Sequence, residues 1–271
     1  MPTVWMVSGN KGGVGKSALA IGLTQALLQE CGPHEVSVID GDGRTPDVHR
    51  VFDRKLPARQ LDFRRLRPDS HLSMTEDEYF RIVMSYVKIS EHVVINTPDG
   101  ADDQLMGWFD STLQCTESMS GDLEVHFKFL FMMSPADDGL RYLDALAERF
   151  ERLYPVRNLY FGDVARFKYF NEHYAGTFEH VVDFPRLMAG ELDRVKRLRL
   201  PPWEYAEMRW DRTVPEVVTP RAFSRKRVRD WMCDVCEALS PIITTHDSNL
   251  KQGNILSLIH ISEPTRQEAI S

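Results

Sequence analysis

The sequence predicts an α/β domain built on a mostly parallel, twisted sheet with helices on both faces, and three observations carry that prediction. Short apolar runs of strand length alternate with longer amphipathic stretches. The first two apolar runs end in clusters of Gly or Asp and Gly, as expected where parallel strands hand over to ligand-facing loops. The chain has 271 residues, 42% hydrophobic and 27% charged, enough for one ample core. Residues 1–250 are accordingly read as a single domain.

The first run, Thr3–Ser8 (TVWMVS), is a short buried strand. A helix is expected over Lys16–Glu30, where Leu19, Leu23, Ala26 and Leu27 fall on one face. Between them lies Gly9-Asn10-Lys11-Gly12-Gly13-Val14-Gly15-Lys16-Ser17, which fits GxxxxGK[ST] in the strand–loop–helix context that this pattern requires. Its glycines allow a tight turn that brings backbone N–H groups to phosphate oxygens, and the helix start adds free N–H groups and a positive dipole end. Gly12, Gly13, Val14, Gly15, Lys16, Ser17 and Ala18 are therefore the candidate nucleotide contacts. Lys16 is placed to reach the β- and γ-phosphates and Ser17 to ligate Mg²⁺.

Glu35–Asp40 (EVSVID) reads as the second strand and runs into Asp40-Gly41-Asp42-Gly43, a string that an ordinary Asp/Gly turn also produces. His92–Thr97 (HVVINT) reads as a third strand, followed by Pro98-Asp99-Gly100. Arg54–Ser70 is polar, basic and without periodicity, and is read as an irregular loop. Thr75–Val87 reads as a helix in which Thr75 and Glu78 form a capping box. Leu123–Phe131 alternates as a strand. Ser134 is expected to cap a helix with Pro135 at its first position and Leu140, Leu143, Leu146, Phe150 and Leu153 on its buried face. Strands follow at Val156–Phe161 and His180–Phe184, and a helix at Arg225–Leu239.

KGGVGKS resembles the deviant Walker A motif of the ParA/MinD superfamily of SIMIBI-class P-loop ATPases. That resemblance implies a P-loop NTPase fold, ATP and Mg²⁺ as cofactors, and a homodimer in the ATP state, with Lys11 reaching the partner's phosphates. It also implies that Asp42 orients the attacking water and that Asp40 supports the metal shell, so that Lys11, Lys16 and Asp42 are the catalytic candidates and Ser17, Asp40 and Asn96 the metal candidates. Two departures stand out: Gly43-Arg44 replaces the family's Pro-Gln, and Asn96 stands where the family has an aspartate that holds Mg²⁺ through water. An amide there carries no charge, so a slow ATPase or a binding-only switch is expected. The layout of the second half resembles the conjugal-transfer (TraL-type) or mobilisation branch, which implies work in plasmid or DNA partition or conjugal transfer.

Net charge −7 argues against wholesale coating of nucleic acid. Local basic groups containing Arg194, Arg197, Arg225, Lys226 and Arg229 fit either non-specific DNA contact, as in several ParA relatives, or solvated helix faces. Cys233-Asp-Val-Cys236 is one CxxC. It fits packed thiols, or the metal or iron–sulfur site that some superfamily members share between subunits. An ATP-dependent biosynthetic ligase shares the loop type and is a third reading. The chain lacks a bilayer-length apolar run and a signal-like N-terminus, so a cytoplasmic protein is expected. Leu256–Arg266 (LSLIHISEPTR) matches a translated sequencing-library adapter, so 256–271, at the end of a tail spanning 251–271, is set aside as adapter-derived and disordered.

Overall fold

The computed structural model describes residues 1–9, 11–66, 74–100, 107–108, 125–136, 139–150, 152–174, 176–208 and 221–244, apart from the side chain of residue 141. The tail over 251–271, Cys115, residues 67–70 of the expected loop and the first residues of the strand expected from Leu123 lie outside these.

Seven strands, β1 (Thr3–Ser8), β2 (Val36–Asp40), β3 (Ala58–Gln60), β4 (His92–Asn96), β5 (His126–Met133), β6 (Leu153–Asn158) and β7 (Val182–Phe184), form one sheet in the order β3-β2-β4-β1-β5-β6-β7. Every pairing is parallel. Because strand side chains alternate between faces, β1 feeds two cores. Trp5 and Val7 enter one, and Val4 and Met6 the other. Helix α1 (Lys16–Cys31) covers the first core, burying Leu19, Leu23, Ala26 and Leu27 as its periodicity predicts. On the opposite face α3 (Glu76–Val87) buries Tyr79, Val83, Met84 and Val87. The expected capping box opens α3: Thr75 Oγ1 accepts from Glu78 N at 3.2 Å, and Glu78 Oε2 accepts from Thr75 N at 2.9 Å.

Several sequence expectations are corrected. The stretch read as an irregular loop contains β3, whose three residues pair with Val38, Ile39 and Asp40 of β2. It also holds a 3₁₀ turn at Phe63–Leu66, which buries Phe63. Helix α2 (Asp47–Phe52) precedes it. The helix expected from Ser134 is instead α4 (Leu140–Ala147), with Gly139 as its N-cap and no side-chain cap. Its face is buried as expected, but Leu153 is the first residue of β6. That strand starts three residues earlier than Val156 and includes Pro155. β7 registers with β6 only from Val156 onward, so the missing Pro155 N–H costs no ladder bond on that side.

Beyond β6 come α5 (Lys168–His173), α6 (Ala189–Leu198), α7 (Pro202–Glu207) and α8 (Ala222–Ile243). A buried carboxylate ties the last three together. Glu191 of α6 accepts from Arg194 and Arg227 at 3.1 Å each, from Tyr205 at 3.4 Å, and from Ser224. Among the described residues no helix is long and apolar enough to cross a membrane.

Candidate functional site

The parallel sheet brings the ends of β1, β2, β4 and β6 to one edge, and the glycine loop crosses that edge between β1 and α1. Gly15 is the N-cap of α1 at φ 109°, a left-handed conformation open to glycine and costly for other residues. Lys16 follows at the start of the helix and is buried, its ammonium donating to Gly9 O at 3.0 Å and Lys11 O at 3.2 Å. Its third partner is the Asp99 carboxylate, from the loop after β4. Lys11 lies on the exposed side of the glycine loop.

A cleft of about 340 Å³ opens above this loop. Gly13 to Ala18, Asp42, Thr45, Thr97 and Asp99 are among its lining residues. So are Phe184, Pro185, Leu187 and Trp231, with Trp231 Nε1 donating to Pro185 O at 3.2 Å. Asn158, at the end of β6, also lines it, donating to Val14 O at 2.7 Å, while its side-chain oxygen accepts from Tyr160 N at 3.0 Å. Lys196 of α6 bonds Asp47 of α2 at 2.8 Å on the same cleft wall. A cleft lined by an anion-binding loop together with apolar and aromatic side chains suits a nucleotide, whose phosphates need the first and whose base needs the second.

The two aspartates after β2 have different surroundings. Asp42 lines the cleft and closes its own turn, accepting from Arg44 N at 2.8 Å, Thr45 N at 3.1 Å and Thr45 Oγ1 at 2.7 Å. Burial raises its pKa, but the Thr45 and Arg44 donors outweigh that and hold it below the ordinary value. Asp40 is fully buried and does not line the cleft. One oxygen accepts from Asp42 N at 3.1 Å and Asn96 Nδ2 at 2.9 Å; the other accepts from Val48 N at 2.9 Å and His49 N at 3.0 Å. These four bonds fill the acceptor positions of a carboxylate. The structure uses Asp40 as a brace between β2, β4 and the start of α2, a role distinct from the metal-shell support expected of it. Burial pushes its carboxyl above the ordinary value, against the opposing pull of Asn96, His49 and Asp42.

Asn96 faces Asp40 because β2 and β4 register Asp40 with Asn96. Its side-chain oxygen is buried with no partner.

The basic residues considered for DNA contact are largely engaged within the fold. Arg194 holds Glu191, Arg225 donates to Met208 O, Arg229 to Ala206 O at 3.1 Å, and Lys226 pairs with Asp230 at 2.5 Å. Arg197 is exposed. Cys236 donates to Gln29 Oε1 at 2.8 Å, and burial raises its thiol pKa, away from the thiolate that metal ligation needs. Among the described residues no group of three His, Cys, Asp or Glu side chains is gathered for a metal ion.

Sequence reasoning missed Asn158, Lys196 and the Phe184–Trp231 wall as cleft residues. Asn158 carried a usable signal, a polar side chain ending a parallel strand.

No protein-family model matches the chain, and no curated protein matches it. Solved structures do. A septum site-determining protein MinD from Pyrococcus horikoshii OT3, complexed with Mg-ADP, aligns at TM-score 0.53 and 12% identity over 90% of this chain and 97% of its own. A ParA family ATPase from Chlorobium tepidum TLS aligns at TM-score 0.53 and 12% identity over 85% and 98%. A plasmid partition protein from Borrelia burgdorferi B31, bound to AMPPNP, aligns at TM-score 0.52 and 14% identity over 89% and 100%. The fold of this chain is thus the α/β P-loop fold shared by ParA and MinD ATPases.

Proposed function

We propose that the chain binds Mg²⁺–ATP in this cleft and works as a nucleotide-dependent switch ATPase, pairing with a second copy when ATP is bound. One observation carries the reading: a buried Lys16 at the start of α1 lines a cleft that the glycine loop shares with apolar and aromatic side chains. The AMPPNP and Mg-ADP bound in the plasmid-partition and MinD structures agree with it. Ser17, which lines the cleft beside Asp42 and Asp99, suits Mg²⁺, and the unpartnered buried oxygen of Asn96, one residue before the cleft-lining Thr97, suits water behind it, so the residues present fit the ion. Mg²⁺ would supply charge neutralisation on the phosphates. Lys16 and the loop N–H groups stabilise negative charge at the terminal phosphate, Lys11 adds a second cation from the partner copy, and Asp42, ionised at neutral pH, orients water. Asn96 leaves the metal shell one charge short, which favours slow hydrolysis. The biological setting we propose is plasmid or DNA partition or conjugal transfer, with DNA contacted through Arg194, Arg197, Arg225, Lys226 and Arg229.

Sizing the protein with ATP, ADP and no nucleotide tests the core of this reading. The wild type is expected to dimerise with ATP alone, and Lys11→Ala to remain monomeric; a monomer in every condition overturns it. The DNA element is tested on a column of non-specific duplex at low salt. Retention is expected with ATP and lost without it, and is expected to fall steeply as salt rises. Retention indifferent to nucleotide, or none, removes that element.

A further inference from the structure

We infer that Asp99 occupies, in the nucleotide-free protein, the place on Lys16 that the terminal phosphate of a nucleoside triphosphate takes. A triphosphate must therefore displace an internal carboxylate to bind. This rests on the nucleotide reading above and goes beyond it, because it gives the site an internal carboxylate that competes with the triphosphate for Lys16.

A lysine ammonium has three hydrogens to donate. Here all three are spent: on Gly9 O at 3.0 Å, on Lys11 O at 3.2 Å, and on Asp99. For Lys16 to bond a phosphate oxygen, one partner has to leave. The two carbonyls belong to the glycine loop itself, and losing them unmakes its turn. Asp99 is the removable one. Its side chain is 59% exposed against 5% for Lys16, so the lysine is the fixed member and the carboxylate the solvent-facing one.

The second Asp99 oxygen lies across the front of the loop. A Cβ built on Gly12 would come within 2.9 Å of it. Asp99 also lines the same cleft as Gly13 to Ala18. A carboxylate oxygen and a phosphate oxygen offer the same charge-assisted bond to an ammonium. A buried lysine without a counter-charge is costly, so an empty site needs a stand-in. Asp99 supplies one from a loop that leads directly out of β4, the strand that carries Asn96.

The experiment is calorimetric titration of AMPPNP and ADP into wild type and Asp99→Asn, in EDTA so that metal ligation does not enter, with thermal melting as a folding control. Asp99→Asn is expected to tighten AMPPNP by roughly two- to fivefold, the range for losing one partly exposed ionic competitor. ADP, which lacks the terminal phosphate, is expected to gain less. The difference is expected to persist at about 0.5 M salt, where general charge attraction is screened. Equal gains for both nucleotides, no gain, or a difference that vanishes with salt overturns the inference while the nucleotide reading stands. A wild type that binds neither nucleotide even when Mg²⁺ is restored removes the reading, and this inference falls with it.

Discussion

Asp40→Ala is expected to lower the stability of the nucleotide-free, Mg²⁺-free protein by about 3 kcal/mol, because it orphans four donors at once, two buried and two partly buried. The backbone N–H groups of Val48 and His49 open α2, and Asp40 is the side chain that caps them, since Pro46 at the helix N-cap provides no side-chain bond. The Asp42 N–H fixes the turn that presents Asp42 to the cleft, and Asn96 Nδ2 couples that turn to β4. Part of the loss is offset, because a buried carboxylate is itself expensive, as its raised pKa records. For a chain of this length the expected fall in Tm is roughly 6–12 °C, measured in EDTA. A residue whose role was to support the metal would give the opposite pattern: an unchanged melt without Mg²⁺ and a loss confined to Mg²⁺-dependent nucleotide affinity. That outcome would return Asp40 to the metal shell.

The sequence made the centre of this fold legible and left its periphery dark, for physical reasons. β1, β2 and β4 are buried on both faces, so they appear as nearly continuous apolar runs, and the glycines or aspartates after them mark where they stop. α1 and α3 declare themselves by periodicity and, for α3, by a local capping box. α2 has no local signal: its cap is Asp40, eight residues upstream of Val48, and becomes a cap only through the turn at Gly41. β3 is three residues of partly exposed chain that β2 recruits through backbone pairing alone. The site divides the same way. The glycine loop is contiguous and could be read directly. The Lys16–Asp99 pair spans 83 residues, and Arg227 finds Glu191 across 36, so no spacing announces either. Trp231 was legible as part of an apolar helical stripe, but its place on the cleft wall follows from how α8 packs beside β7, where its ring meets Phe184 edge-on at 6.0 Å.

Asn96→Asp is the second large expected effect, and it acts in opposite directions on stability and turnover. The substitution replaces a donor 2.9 Å from Asp40 with a second buried carboxylate. Two carboxylates at hydrogen-bond distance cannot both ionise cheaply, so the pair retains a proton that each group gives up near pH 4 in the unfolded chain. The sign follows from that. A carboxyl pKa raised on folding contributes stability that is fully present below the unfolded pKa and is lost as pH rises through the folded one. Wild-type Asp40 already shifts in this direction; the variant widens the window upward toward neutrality. Asn96→Asp is therefore expected to melt well below wild type at pH 7 without metal, by roughly 2–4 kcal/mol, and to recover on acidification toward pH 5. Mg²⁺–ATP is expected to close the same gap, because a metal-bound water gives the new charge a partner, and steady-state ATP turnover is then expected to exceed that of the wild type. Equal turnover in the two proteins would end the argument that Asn96 slows hydrolysis. The exchange variant Asp40→Asn with Asn96→Asp isolates the pair itself. An Asn at position 40 keeps its carbonyl oxygen for Val48 and His49 N–H and turns its amide toward the new carboxylate, losing only the bond from Asp42 N. It is expected to recover most of the stability lost by Asn96→Asp at pH 7, with a flatter pH profile. No recovery would mean that the cost lies outside this contact, and that Asn96 is retained for a reason other than the carboxylate it faces.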